Sequence, residues 1–141
     1  MKAMVQWQSD VCFLAESETG HQLLLDGPAE AGGQNKGPRP MELVLLGLGG
    51  CASYDVVTIL KKSRQNVEGC KVQLLADRAE ATPAVFTKIQ LHFVIQGDGI
   101  SEQHVARAVR LSAEKYCSAS KMLEAGGVEI AHSFEIQGVL G

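Results

Sequence analysis

Two kinds of hydrophobic pattern alternate along the chain. In residues 69–81, Cys70, Val72, Leu74 and Ala76 share one face, and Lys71, Gln73 and Asp77 share the other. In residues 85–96, Ile89, Leu91, Phe93 and Ile95 stand opposite Lys88, Gln90, His92 and Gln96. A period of two predicts strands, and Thr82-Pro83 marks the turn of a hairpin with one buried face. Residues 128–137 repeat the pattern, with Val128, Ile130, His132, Phe134 and Ile136 together. Residues 1–8, 11–17 and 21–25 read as a short N-terminal meander.

The period changes to helical in two places. Residues 41–66 are apolar almost throughout, with Pro40 suited to the first turn and Lys61, Lys62 and Arg64 near the end. Gly47, Gly49 and Gly50 interrupt this run and predict a bend or very close packing. Ser101 is a candidate N-cap for a helix whose face carries Val105, Ala108, Val109, Ser112 and Tyr116. Cys117-Ser118 opens a further helical piece that ends at Gly126-Gly127. Between meander and long helix, residues 26–40 hold four Gly and three Pro, a density that excludes regular structure. A bare loop of that length is usually functional or mobile.

The order β-β-β-α-β-β-α-β is not a βαβα alternation. It predicts an α+β fold, antiparallel sheet on a long hydrophobic helix, in one domain spanning 1–141. The long helix is too apolar for a monomer with one sheet, so its second face is expected to meet another subunit. Its apolar core is near the minimum length for a membrane span, but three glycines and Asp55 within it argue for burial in protein.

Composition narrows the functions. The 141 residues carry 13 Lys+Arg against 16 Asp+Glu, a net charge of −3 that provides no field for nucleic acid. The start, MKAMVQWQSD, has no apolar signal-peptide region, so a cytoplasmic location is expected. Cys12, Cys51, Cys70 and Cys117 form no CxxC, and His21, His92, His104 and His132 are scattered. Neither a disulfide scaffold nor a zinc site has a local signature, so no metal and no cofactor are expected. Cys12 and Cys70 read as core. His132, on an apolar face, reads as a satisfied core histidine.

Two cysteines remain as candidates. Cys51 follows Gly49-Gly50 in the most hydrophobic segment, and Cys117 stands at a helix start, which can lower a thiol pKa. Cys51 has no adjacent basic residue; Arg39, Lys36 or a partner-subunit residue would have to activate it. Asp55, four residues on, would raise a thiol pKa rather than lower it. Glu42 stands about 180° from Cys51 on an unbroken helix. Either thiol could equally be an ordinary buried one. Gly47, Gly49 and Ala52 also match the spacing of a dinucleotide fingerprint, but the hairpin that follows is not the required βαβ unit.

GPRPMELVLLGLGGCASYDVV, with P-x-E-L-x(7)-C inside it, followed some sixty residues later by KYCSASKML, resembles the OsmC/Ohr family (osmotically inducible protein C and organic hydroperoxide resistance), in its small YhfA-like branch. The resemblance extends over nearly the whole chain. It implies an intertwined homodimer with central helices and a cysteine pocket at the subunit interface. It also implies a peroxidatic Cys51 and a resolving Cys117, acting on an organic hydroperoxide and regenerated by a dithiol, typically lipoyl-type. Peroxidase members place a Glu directly after the Pro and use an Arg that it holds. Here Met41 follows Pro40, Glu42 comes one residue later, and Arg39 is the nearest substitute for the Arg. The resemblance therefore carries the fold further than the activity. The alternative on the same fold is a non-enzymatic dimeric module that senses redox state or holds an apolar small molecule.

Overall fold

The computed structural model of the chain describes residues 1–138. Contacts divide it into two compact units, Met1–Val44 and Leu45–Gly141.

The first unit is a three-stranded antiparallel meander, β1 (Ala3–Ser9), β2 (Cys12–Ser17) and β3 (Gln22–Leu25), in that order. Asp10 turns β1 into β2 with φ 48°, and its carbonyl accepts the indole N–H of Trp7 at 2.9 Å. Met4, Val5 and Trp7 are exposed on β1. The Gly/Pro loop that follows is irregular as expected, apart from one 3₁₀ turn at Ala29–Ala31. Buried Asp26 organises it: its carboxylate accepts the backbone N–H groups of Gly27 (2.8 Å), Gln34 (3.1 Å) and Lys36 (3.1 Å). The Lys36 amide, helped by the other two, holds the Asp26 carboxyl below its usual range. Gly37 sits where any side chain would meet the Leu24 carbonyl.

Helix α1 (Pro40–Lys62) begins in this unit and runs on into the second. It ends four residues earlier than the hydrophobic pattern suggests. Arg64 takes a left-handed conformation (φ 58°), and the amides of Arg64 and Gln65 close back on the Lys61 and Leu60 carbonyls. This Schellman closure stops the helix with Arg in the place usually held by Gly.

The second unit holds a three-stranded sheet, β4 (Gly69–Arg78), β5 (Phe86–Gln96) and β6 (Glu129–Gln137), in that order. β4 and β5 form the expected hairpin, with Leu74 opposite Leu91 and Cys70 opposite Ile95. The expectation of antiparallel sheet is corrected at β6, which runs parallel to β5, Phe93 beside Phe134. Parallel neighbours need a long crossover. Here α2 (Glu102–Leu111), a π-helical turn (Ser112–Tyr116) and α3 (Ser118–Ala125) supply it. The Ser101 hydroxyl caps α2 by accepting the His104 amide.

Ile89, Leu91, Phe93 and Ile95 of β5 are fully buried, as are Leu48, Ala52, Val56 and Leu60 of α1 and Val105 and Ala108 of α2. The α1 residues recur every four positions, so one stripe of the helix faces the core. Each buried Leu, Ile, Val or Phe contributes roughly 1.5–3 kcal/mol of transfer free energy. Gly49 shows why the helix tolerates glycine: a Cβ there would lie 2.8 Å from Leu74 Cδ1. Gly49 alone marks close packing; a Cβ at Gly47 or Gly50 would meet nothing within 4 Å, and α1 runs through all three. α1 is also long and apolar enough to cross a membrane by length and composition. One stripe of it, Leu48, Ala52, Val56 and Leu60, is fully buried. Leu46 (59% exposed) and Tyr54 (74%) lie outside that stripe.

Candidate functional site

Three chemically active side chains meet in the second unit. The sulfurs of Cys51 and Cys117 and a carboxylate oxygen of Asp55 all lie within 4.8 Å of one another. Cys51 and Asp55 come from α1, four residues apart and so on one face. Cys117 comes from the junction of the π turn and α3. All four cysteines of the chain are free thiols.

The junction is built by its own sequence. The π turn closes with the Cys117 amide donating to the Ser112 carbonyl at 2.9 Å. It leaves Cys117 extended (φ −77°, ψ 100°) as the N-cap of α3. The Cys117 sulfur accepts the Ser120 amide at 3.4 Å, the bond a Ser or Asp would make at that position. Single π turns of this kind occur often at functional sites.

The environments of the two sulfurs differ. Cys117 is fully buried and Cys51 is half-buried. Burial pushes the Cys117 thiol up; the Ser120 hydroxyl and amide pull it down, and neighbouring Cys51 pushes it up again. Asp55 is raised by burial and lowered by a hydrogen bond from Ser112. Buried Ser112 shares its hydroxyl between Asp55 Oδ2 (3.3 Å) and the Ala52 carbonyl (3.4 Å), fixing the carboxylate against the helix. Beside the cluster, and sharing Asp55 with it, opens a cavity of about 610 Å³ lined by Tyr54, Thr58, Lys62, Arg107 and Tyr116.

The other two candidates lie in the first unit. Glu42 Oε1 accepts the main-chain N–H of Arg39 at 2.9 Å, which serves the start of α1. The Arg39 guanidinium donates to Asn35 Oδ1 (2.7 Å) and to the Gly37 carbonyl (3.3 Å), within its own loop. The structure thus brings Cys51 to Cys117, and Glu42 to Arg39.

Cys12 is buried, as its strand position suggests. Cys70 is half-buried, and burial raises its thiol. The reading of His132 as a satisfied histidine is corrected. Its ring stacks on Phe93 (centroids 6.5 Å apart), and its buried Nε2 has no hydrogen-bond partner among the described residues. The Gly47–Ala52 fingerprint spacing lies wholly inside α1, so it has no strand-to-helix turn in which to hold a phosphate.

Sequence reasoning missed the roles of Ser112 and Ser120. Ser120 had a signal, since it stands three residues after a cap position. Ser112 had none beyond a polar residue on an apolar helical face.

A family model described as OsmC-like protein matches residues 33–133. The protein YhfA of Escherichia coli (strain K12) is 49% identical over 136 residues, covering 96% of this chain and 98% of its own. A crystal structure of a hypothetical protein from Aquifex aeolicus VF5 superposes with a TM-score of 0.85 at 31% identity, covering 98% of this chain and 96% of that one. An organic hydroperoxide resistance protein OsmC from Legionella pneumophila superposes with a TM-score of 0.72, covering 95% of each chain; at 19% identity it is a likeness of fold.

Proposed function

Because the chain belongs to the OsmC-like family, we propose that it reduces organic hydroperoxides through a Cys51/Cys117 dithiol cycle. The observation that carries this reading is the approach of the two sulfurs to within 4.8 Å, one half-buried and one fully buried.

The chemistry balances as follows. The Cys51 thiolate attacks the distal oxygen of ROOH, and the O–O bond breaks. The alkoxide takes a proton and leaves as ROH, with Cys51 as a sulfenic acid. The Cys117 sulfur attacks the Cys51 sulfur, a disulfide forms, and water departs. A dithiol of lipoyl type then restores both thiols by exchange and is itself oxidised to a disulfide. Cys51 takes the first step because it is the more accessible sulfur. Cys117 takes the second, held at the cap of α3 within reach of it. Asp55, beside both sulfurs, is placed to hand a proton to the departing alkoxide.

The same reading makes the protein a homodimer in a reducing, cytoplasmic setting. Exposed Met4, Val5 and Trp7 on β1 and Leu46 and Tyr54 on α1 are the apolar surfaces a second subunit would cover. A monomeric mass by light scattering would remove that part.

The test is hydroperoxide consumption with a dithiol reductant, comparing wild type with Cys51→Ser and Cys117→Ser. Turnover lost in both, with organic hydroperoxide preferred to hydrogen peroxide, supports the cycle. A second reading, a redox-sensing or apolar-ligand module, draws on the Arg39 guanidinium bonding within its own loop. Absence of turnover in the folded wild type would favour it.

A further inference from the structure

Cys51, Asp55 and Cys117 offer two soft donors and one hard donor, all converging within 4.8 Å. We infer that, when reduced, this trio is a binding site for one zinc ion per chain.

The donor set selects the ion. Two thiolates exclude magnesium and calcium, which take oxygen ligands. Zinc accepts mixed sulfur and oxygen ligands, prefers a tetrahedron, and does not oxidise thiols. With Zn–S near 2.3 Å and Zn–O near 2.1 Å, neighbouring donors in a tetrahedron stand about 3.5–3.8 Å apart. From 4.8 Å, the trio needs to tighten by roughly 1.3 Å at most to reach that spacing.

The surroundings are those of a supported site. The Ser120 amide donates to the Cys117 sulfur, a bond that a metal-bound thiolate keeps. The Ser112 hydroxyl donates to Asp55 Oδ2 and orients the carboxylate from behind. Three protein ligands leave the fourth position to water, and the cavity that shares Asp55 provides its entry path. Binding expels the two thiol protons, so three negative groups face a charge of +2. Zinc and the Cys51–Cys117 disulfide compete for the same sulfurs and cannot coexist. The ion would shield the pair from oxidation, and oxidation would release the ion.

This inference does not depend on hydroperoxide turnover. The test titrates fully reduced protein with Zn²⁺ against a chromophoric chelator, and with Co²⁺ to read its thiolate-to-metal absorption. The expected result is one ion per chain, with affinity reduced roughly 10–100-fold by Cys51→Ser, Cys117→Ser or Asp55→Asn and unchanged by Cys70→Ser. The cobalt–thiolate band should weaken in each Cys variant, and the disulfide form should bind no ion. Cys51→Ser, at a half-buried position, carries the test alone if Cys117→Ser does not fold. Zinc lost to the chelator by wild type, retained undiminished by Cys51→Ser, or indifferent to Asp55→Asn would overturn the three-donor site. Turnover assayed in excess chelator tests the peroxidase reading separately: zinc retention without turnover leaves this inference standing.

Discussion

The Ser120 amide donates to the Cys117 sulfur at 3.4 Å, so a candidate redox residue is also the cap of the helix that follows it. Forming a disulfide or binding a metal through Cys117 therefore acts on the start of α3. Serine can replace the acceptor and alanine cannot. Cys117→Ala should be about 1 kcal/mol less stable than Cys117→Ser, measured by urea unfolding. Equal stabilities would mean that the N–H···S contact contributes nothing.

Asp26 gathers three backbone amides from the loop between β3 and α1. Its carboxyl is lowered by those bonds, with Lys36 foremost. A lowered folded pKa stabilises above the unfolded value and is lost as pH falls through the folded one. Wild type should therefore lose stability below about pH 3.9, and Asp26→Asn should lose less over the same range. At neutral pH, Asp26→Asn should speed hydrogen exchange at the Gly27, Gln34 and Lys36 amides by NMR.

His132 behaves in the opposite chemical sense with the same direction in pH. Burial lowers its pKa, and Glu124 opposes this. The unfolded chain then binds the proton more readily, so stability falls as pH drops below about 6.5. His132→Phe keeps a ring against Phe93 and removes the unpartnered Nε2. The variant should show a smaller loss between pH 7 and pH 5 in thermal melts, and should be no less stable than wild type at pH 5.

Gly49 sets the approach of α1 to β4. A methyl there meets Leu74 Cδ1 at 2.8 Å, with Val72 Cγ1 at 3.5 Å behind it. Leu74 must move, and overpacking of this kind costs about 1–3 kcal/mol. The helix propensity gained from alanine, about 1 kcal/mol, opposes that cost, and Leu74 meets the methyl with the end of a flexible side chain, so the balance rests on how far Leu74 yields. Gly49→Ala should change the melting temperature more favourably in a Leu74→Ala background than in wild type; equal effects in the two backgrounds would mean that Leu74 does not limit the site.

Much of this fold is legible in the sequence because its elements have clean periods. β4 and β5 alternate strictly, and α2 carries one apolar face. β6 was legible as a strand but not as a parallel one, since direction depends on the crossover and not on the residues of the strand. Arg64 hid the end of α1 because it adopts a conformation that composition assigns to glycine. At the candidate site, Cys51 and Cys117 stood out through Gly49-Gly50 and the KYCSAS helix start. Asp55 was visible as a neighbour of Cys51 on the helix. Its convergence with Cys117 was not, because the two are joined by the packing of α1 against a π turn, which has no sequence period. The same long-range packing hid the metal-ligand geometry from rules built on local spacing.

The most direct measurement of the central claim is intact mass and peptide mapping of reduced protein after one equivalent of an organic hydroperoxide such as cumene hydroperoxide. Wild type should lose two hydrogens and show a Cys51–Cys117 disulfide. Cys117→Ser should stop at a sulfenic acid on Cys51 that a dimedone probe traps, and Cys51→Ser should remain unoxidised. Wild type that stays reduced, or oxidation that falls on Cys12 or Cys70 in place of Cys51, would contradict the account.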